Sequence, residues 1–149
     1  MNRTQAREFA VLLVFEQGFC VSTPQELLEN WLDDQVFLSY SDENSLFAKM
    51  PDETQKEYIS SVVLGVAGQN KVLEGYVEDN ALGWKINRIS RLALSVMKVC
   101  IFEMLNKKEI PPKVALNEAI EICKKYEDED TVSFVNGVLG AVTRQRVDL

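Results

Sequence analysis

The stretch Ser133–Val142, SFVNGVLGAV, decides between a helix and a β-hairpin for the C-terminal part of the chain. An Asn-Gly pair between apolar residues is a strong hairpin signal, but a hairpin also requires alternating apolar and polar residues in both flanks. The apolar residues instead follow the three-and-four spacing of one helix face: Phe134, Val135, Val138 and Leu139. The stretch therefore predicts a helix, although each interior glycine costs about 1 kcal/mol relative to alanine.

The same helical spacing recurs through most of the chain. It predicts helices over Thr4–Gln17, from Pro24 with Thr23 as N-cap, from Pro51 to about Asp79, over Trp84–Leu105, from Pro112, and from Val132 to about Gln145. Residues 33–50 are acidic and mixed in polarity, so we expect a short helix or a loop there. Because no segment alternates as a strand would, the predicted fold class is all-α, a helical bundle.

Charge is distributed unevenly over a chain whose net charge is -7. Residues 21–60 sum to -7, residues 61–126 sum to +3, and residues 127–149 sum to -3, while residues 1–20 are neutral overall. The net charge argues against nonspecific binding of nucleic acid. A nucleic-acid partner would have to meet the basic middle of the chain or its extreme N-terminus.

Cysteine content and hydropathy indicate the compartment. The three cysteines are an odd number without metal-site spacing, which favours reduced, buried thiols in a cytosolic protein. No apolar run approaches the roughly 20 residues that a membrane-spanning helix needs. We therefore expect a cytoplasmic protein.

Residues for catalysis are scarce. The chain has no histidine, which removes the commonest general base and metal ligand. The densest carboxylate cluster, Glu127–Asp130, suggests a divalent-cation site or a small hydrolase as an alternative, but such acids usually stabilise the N-terminus of the next helix. We expect no enzymatic activity, no catalytic residue, no cofactor and no metal.

Three segments carry a family resemblance. PPKVALNEAIEICKKYEDEDTVSFVNGVLGAV, residues 111–142, closely resembles the C-terminal signature of the NusB family of transcription antitermination factors. WKINRI (84–89) with IFEML (101–105) resembles the preceding family helix, and RTQAREFAVLLVF (3–15) resembles the N-terminal motif. The resemblance covers most of the chain and is weakest over residues 21–58.

The resemblance implies a fold and a set of partners. The fold would be one NusB-like domain of two packed three-helix subdomains, an N-terminal half of about 1–80 and a C-terminal half of about 81–149. The protein would pair with the ribosomal small-subunit protein NusE and bind boxA-type RNA. It would then join the RNA polymerase elongation complex with other Nus factors during rRNA transcription. The resemblance leaves open whether the chain also forms a homodimer.

The resemblance also implies roles for individual residues. The RNA-binding residues carried over are Arg3, Arg7, Lys98, Lys113, Phe134 and Asn136. The residues expected to bind the protein partner are Phe15 and Phe19. Asp130 is expected to cap the last helix near the RNA, and Gly137 to allow close helix approach.

A second interpretation follows from the N-terminal motif. Thr4 and Gln5 stand where basic residues are common in the family, and each lost phosphate contact weakens RNA binding. The alternative is a protein-interaction module that docks the ribosomal partner but has lost most direct RNA binding.

Overall fold

A computed structural model describes residues 1–147 and, within that range, contains α-helices and no strand. The α-helices are α1 (Arg3–Gln17), α2 (Pro24–Trp31), α3 (Asp34–Leu38), α4 (Glu53–Gly68), α5 (Asn70–Asn80), α6 (Arg91–Asn106), α7 (Pro112–Tyr126) and α8 (Glu129–Val147). Short 3-10 turns cover Ser45–Phe47 and Ile86–Arg88. The predicted all-α class is confirmed. No helix of residues 1–147 combines the length and apolar character needed to cross a membrane.

The chain divides into two compact units. The N-terminal unit comprises Met1–Ala67 and the C-terminal unit begins at Gly68. The predicted division near residue 80 is therefore about one helix too late, because α5 belongs to the C-terminal unit. Within the described range, α1 to α4 fall in the N-terminal unit, apart from the last residue of α4, and α5 to α8 in the other. Each unit thus has four α-helices rather than the three that the resemblance implies.

The N-terminal unit is built on an aromatic core. Phe9 of α1 is buried, and its ring meets those of Trp31, Phe37 and Phe47 edge-on at centroid distances of 6.0, 5.3 and 5.8 Å. Edge-to-face aromatic pairs of this kind contribute about 0.5–1.5 kcal/mol each beyond the area that they bury. Phe37 and Phe47, which belong to the acidic segment 33–50, therefore anchor that segment to the core of the N-terminal unit.

The C-terminal unit is built around α6, as its broad apolar face predicts. α6 packs against α5, α7 and α8, and the residues of α6 from Ala93 to Met104, apart from Lys98, are buried. Facing it are the buried apolar side chains of α7 and α8, which are Ala115, Ala119, Ile122, Cys123, Val135, Val138, Leu139 and Val142. The helix predicted from SFVNGVLGAV is confirmed, because its apolar spacing forms this buried face.

Two long predicted helices are each interrupted. The segment predicted as one helix from Pro51 to about Asp79 breaks at Gln69, between α4 and α5. The segment predicted as a helix from Trp84 begins at Arg91, because Ser90 acts as N-cap and its hydroxyl accepts the N–H of Ala93 at 3.3 Å. Hydroxyl side chains satisfy the otherwise unpaired N–H groups at a helix start.

The expectation for Gly137 is wrong. Gly137 is exposed, and a Cβ built on it would meet nothing within 4 Å. The glycine therefore does not permit a close helix approach within the described residues. A Cβ on Gly140 would meet the Arg144 guanidinium at 3.5 Å, an ordinary van der Waals distance.

Candidate nucleic-acid interface

A loop between α5 and α6 carries exposed aromatic and basic side chains. Its first anchor is Ala81, which is buried, and the N–H of Trp84 donates to the Ala81 carbonyl at 3.0 Å. Gly83 lies between them at φ 80°, the left-handed conformation that favours glycine in such a turn. The second anchor is Ile89, which is also buried. The loop is therefore held at both ends while its middle faces solvent.

Trp84 and Phe134 form one wall of a shallow cleft. Their ring centroids lie 5.5 Å apart at an interplanar angle of 57°. Trp84 is 53% exposed and Phe134 is half-buried. The cleft has a volume of about 140 Å³ and is lined by Trp84, Arg88, Ile89, Ser90, Asp130, Thr131 and Phe134. Phe134, one of the predicted RNA residues, is thus accessible rather than entirely core.

The acidic segment Glu127–Asp130, at the start of α8, supplies the cap of that helix. The N–H of Thr131 donates to Oδ1 of Asp128 at 2.8 Å, and this hydrogen bond lowers the pKa of the Asp128 carboxyl below its usual value. The predicted cap, Asp130, lies instead inside the first turn of α8. It is exposed and lines the cleft. The prediction was wrong by two residues because α8 begins at Glu129, three residues earlier than its apolar pattern indicates.

Cationic side chains lie on one side of the cleft. Arg88 lines the cleft, and Lys85 lines an adjoining recess with Trp84. Both side chains are exposed, and so is Asn136, two residues after Phe134. Lys113 is exposed in the first turn of α7, the end of that helix away from the acidic segment Glu127–Asp130. The structure therefore places Phe134 and Asn136 on the same helix, with Lys113 at a different end of the unit.

The two N-terminal arginines lie in the other unit, against Tyr58 of α4. The Arg3 guanidinium carbon lies 4.1 Å from the centre of the Tyr58 ring, and Nε of Arg3 donates to Oε1 of Gln55 at 2.9 Å. Arg7 lies 5.6 Å from the same ring and is only 4% exposed. Arg3 is half-buried, so it offers more surface to a ligand than Arg7 does.

Lys98 is held by its own unit. Its Nζ donates to Oδ1 of Asn70 at 2.7 Å and to Oε1 of Glu74 at 3.0 Å. Its side chain is only 13% exposed. This arrangement joins α5 to α6. The Lys98 ammonium, which the resemblance assigns to RNA binding, is therefore already bonded to Asn70 and Glu74.

The residues predicted to bind the protein partner form an aromatic pair at the end of α1. The rings of Phe15 and Phe19 lie 4.9 Å apart at 67°. Phe19 is 63% exposed, and Val21 beside it is fully exposed. The two predicted phenylalanines are therefore neighbours on the surface of the N-terminal unit.

Trp84 is a cleft residue to which sequence reasoning gave no role in binding, whereas Arg88 lies in the basic middle of the chain that it had already named as a candidate surface for a nucleic-acid partner. Both stand in the motif WKINRI, which also carries part of the family resemblance. The available signal was a tryptophan interleaved with Lys85 and Arg88 in a segment that also contains Asn87. The segment was interpreted as helical, and this hid its exposed, turn-like character.

The described residues offer little for metal or thiol chemistry. Among residues 1–147, no group of three or more His, Cys, Asp or Glu side chains is arranged to hold a metal ion. Burial, together with the nearby carboxylates of Glu127 and Asp128, raises the pKa of the Cys123 thiol to about 11. The thiol therefore stays protonated and unreactive at neutral pH. Aromatic rings beside exposed cations are the elements that proteins binding single-stranded nucleic acid use.

Comparison with known proteins places this architecture in a family. The model of the NusB family matches residues 4–144. The chain is 37% identical over 144 residues to the transcription antitermination protein NusB of Ruminiclostridium cellulolyticum, covering 97% of this chain and 90% of that one. It is 35% identical over 142 residues to the NusB protein of Clostridium perfringens, covering 95% and 96%. The chain belongs to the NusB family, and the function that this membership carries is transcription antitermination.

Solved structures show the same fold. T. maritima NusB superposes with a TM-score of 0.70 at 23% identity, covering 100% of this chain and 99% of that chain. A chain from a crystal structure of the antitermination factors NusB and NusE in complex with dsRNA superposes with a TM-score of 0.75 at 22% identity, covering 96% of both. The helical architecture is therefore shared along nearly the whole chain.

Proposed function

We propose that this protein acts in transcription antitermination by binding boxA-type RNA together with the ribosomal protein NusE, and that the pair joins the RNA polymerase elongation complex during rRNA transcription in the cytoplasm. The observation that carries the RNA part is the exposed pair of Trp84 and Phe134 beside the Arg88 guanidinium. Aromatic side chains stack on unpaired bases, and arginine binds phosphate. Homologous structures support the partner, since one contains NusB with NusE and dsRNA.

The aromatic pair at the end of α1 is the proposed docking site for NusE. Phe19 is largely exposed and its ring rests on Phe15, so a partner could cover both without rearranging the core. Residues 21–60, which follow this pair in the sequence, carry a net charge of -7. Electrostatic complementarity with this acidic segment would then favour a basic partner and speed its association.

A specific observation favours the second candidate function, a module that docks the ribosomal partner with little direct RNA binding. Arg7 is buried and Lys98 is held by Asn70 and Glu74, so two of the carried-over cations have limited access to phosphate. The partner would then supply most of the RNA contacts.

A fluorescence-anisotropy titration of a labelled boxA-type RNA, with and without NusE, separates these functions. The antitermination proposal expects binding by this chain that strengthens when NusE is added. Binding by NusE alone that this chain does not improve would favour the docking module. No association of the chain with either RNA or NusE would refute both.

A matched pair of variants tests the partner site. Phe19→Ser is expected to weaken NusE binding about tenfold or more, in the range of an interface hot spot. Leu38→Ser is the control, because Leu38 is a 43% exposed apolar residue of the same unit outside the aromatic pair. Equal losses in both variants would place the partner elsewhere.

A further inference from the structure

We propose that the recess between the end of α5 and the α5–α6 loop docks a basic protein surface of the elongation complex, with Leu82 as the apolar anchor and Glu78 as the anionic partner. The recess has a volume of about 510 Å³ and is lined by Glu78, Trp84, Lys85, Ile86 and Asn87. This inference rests on the proposed function, in which the chain and NusE join that complex. It adds the surface of this chain that makes the protein contact.

The loop beside the recess exposes neighbouring apolar side chains. Leu82 is 87% exposed, Trp84 is 53% exposed, and Ile86 is half-buried. A single exposed apolar residue is ordinary, whereas contiguous apolar surface marks an interaction site. Because the buried Ala81 and Ile89 fix both ends of the loop, a partner would not have to order it on binding. Leu82 does not line the cleft, so stacking on RNA does not account for its exposure.

The charges at the end of α5 select a basic partner. Glu78 lines the recess, Asp79 follows it in the chain, and both side chains are exposed. Neither carboxylate forms an ion pair with the described side chains of residues 1–145. Both stand in the last turn of α5, where the terminal carbonyl groups of the helix also favour a cation. A lysine or arginine of the partner would therefore meet Glu78 while an aliphatic side chain packs on Leu82.

A protein suits this recess better than RNA does. The exposed carboxylates of Glu78 and Asp79 repel phosphate, and Lys85 supplies one positive charge against the two. Tryptophan is among the residues that most often carry binding energy in protein interfaces, and charged side chains at the rim steer the approach of the partner. An apolar centre of Leu82 and Trp84 with a charged rim is the usual arrangement of a protein–protein interface.

The test measures recruitment of the full chain to a reconstituted elongation complex. The complex is purified RNA polymerase on a DNA–RNA scaffold whose transcript carries boxA, with NusE and the other Nus factors, and it is titrated into fluorescently labelled chain. Leu82→Ser is expected to weaken recruitment about tenfold while leaving the affinities for free boxA-type RNA and for NusE unchanged. Val72→Ser is the matched control, because Val72 is a 55% exposed apolar residue of α5 that does not line the recess. Circular dichroism shows whether each variant keeps its helices.

Charge reversal separates docking on a basic protein from attraction to nucleic acid. Glu78→Lys should weaken recruitment more than Glu78→Gln does, and the difference should shrink as salt screens the repulsion. Glu109→Lys is the matched control, because Glu109 is an exposed carboxylate in the connection between α6 and α7. Both reversals change the net charge equally, and added positive charge favours binding to RNA. Weakening in Glu78→Lys alone would therefore report a protein contact at the recess.

Selective loss of recruitment in Leu82→Ser and Glu78→Lys, with RNA and NusE binding intact, supports the docking surface. Wild-type recruitment of folded Leu82→Ser overturns it and leaves the antitermination function standing. A parallel loss of affinity for free RNA or for NusE would assign the recess to that partner, and loss of a self-associated species in sedimentation would assign it to a second copy of the chain; either result overturns the proposal. If the wild-type chain is not recruited even with NusE and boxA, the proposed function fails with it.

Discussion

At the scale of single residues, the two N-terminal arginines show how one side chain can serve folding or binding. Arg3 and Arg7 both lie over the Tyr58 ring, but Arg7 is 4% exposed and Arg3 is half-buried. The long aliphatic stem of a buried arginine contributes packing, and its guanidinium attracts the ring face. We therefore assign Arg7 mainly to the packing of α1 against α4. Its contact with RNA stays a prediction.

Arg7→Ala should lower the free energy of unfolding by about 1–2 kcal/mol, because it removes a buried side chain from the Tyr58 ring. Arg3→Ala is the comparison and should cost less, since water replaces the more exposed guanidinium. Urea unfolding followed by circular dichroism measures both, and RNA titration of the folded variants follows. If Arg7→Ala unfolds at the wild-type urea concentration but loses RNA affinity, Arg7 binds RNA and the folding role is wrong.

At the scale of helices, local signals in the sequence predicted starts better than interruptions. Thr23 before Pro24 and Pro111 before Pro112 define the starts of α2 and α7, because a cap or a proline acts within one turn. The breaks at Gln69 and Ser90 were missed because apolar spacing continues across both. Periodicity reports which face is buried, and it does not report where the chain leaves the helix.

The candidate site could be predicted only in part for the same reason. Phe134 and Asn136 belong to a long motif, so their positions follow from the sequence. The contact of Trp84 with Phe134 joins the α5–α6 loop to α8, with α6 and α7 lying between them in the sequence, and the bond of Lys98 to Glu74 joins α6 to α5. Such tertiary pairs depend on packing, which a single sequence does not specify.

The start of α8 gives a prediction at the same scale. Hydrogen bonding from Thr131 holds the pKa of Asp128 below its usual value, so the charged carboxylate stabilises the folded state above the unfolded pKa, and that stabilisation is lost as the pH falls through the lowered value. Asp128→Ala should lower the Tm by a few degrees at neutral pH. Asp128→Asn should retain most of the capping but lose this acid dependence.

Thermal unfolding of the wild type, Asp128→Ala and Asp128→Asn at neutral and acid pH measures both effects. Asp130→Ala is the matched control, because Asp130 is an exposed carboxylate of the same turn whose side chain is not the cap. A larger loss of Tm in Asp130→Ala than in Asp128→Ala would return the cap to Asp130 and contradict the structure.

At the scale of the whole molecule, the unequal distribution of charge limits how strongly the chain alone can hold RNA. The net charge of -7 repels a polyanion, and the acidic part of the chain between residues 21 and 60 lies in the N-terminal unit. Binding must then rely on a few local cations and on stacking. Two exposed cations lie on the loop side: Arg88 lines the cleft, and Lys85 lines the adjoining recess.

This distribution predicts a weak dependence of RNA affinity on salt for the chain without its partner. Two phosphate contacts on a single strand give a slope of about -1.4 for log Kobs against log salt. Anisotropy titrations over a series of KCl concentrations measure the slope. Lys85→Ala should make it shallower, while Lys108→Ala should leave it unchanged, because Lys108 is an exposed cation in the connection between α6 and α7.

A slope of about -3 or steeper would require roughly twice as many contacts as the cleft supplies. Arg3 and Lys113 are the exposed or half-buried members of the carried-over set that would then have to reach the same strand. Since they lie outside the cleft, such a result would mean that the RNA strand is bound along an extended surface and not only at the cleft. A shallow slope that steepens only when NusE is added would instead mean that phosphate contacts come mainly from the partner, while the cleft contributes stacking.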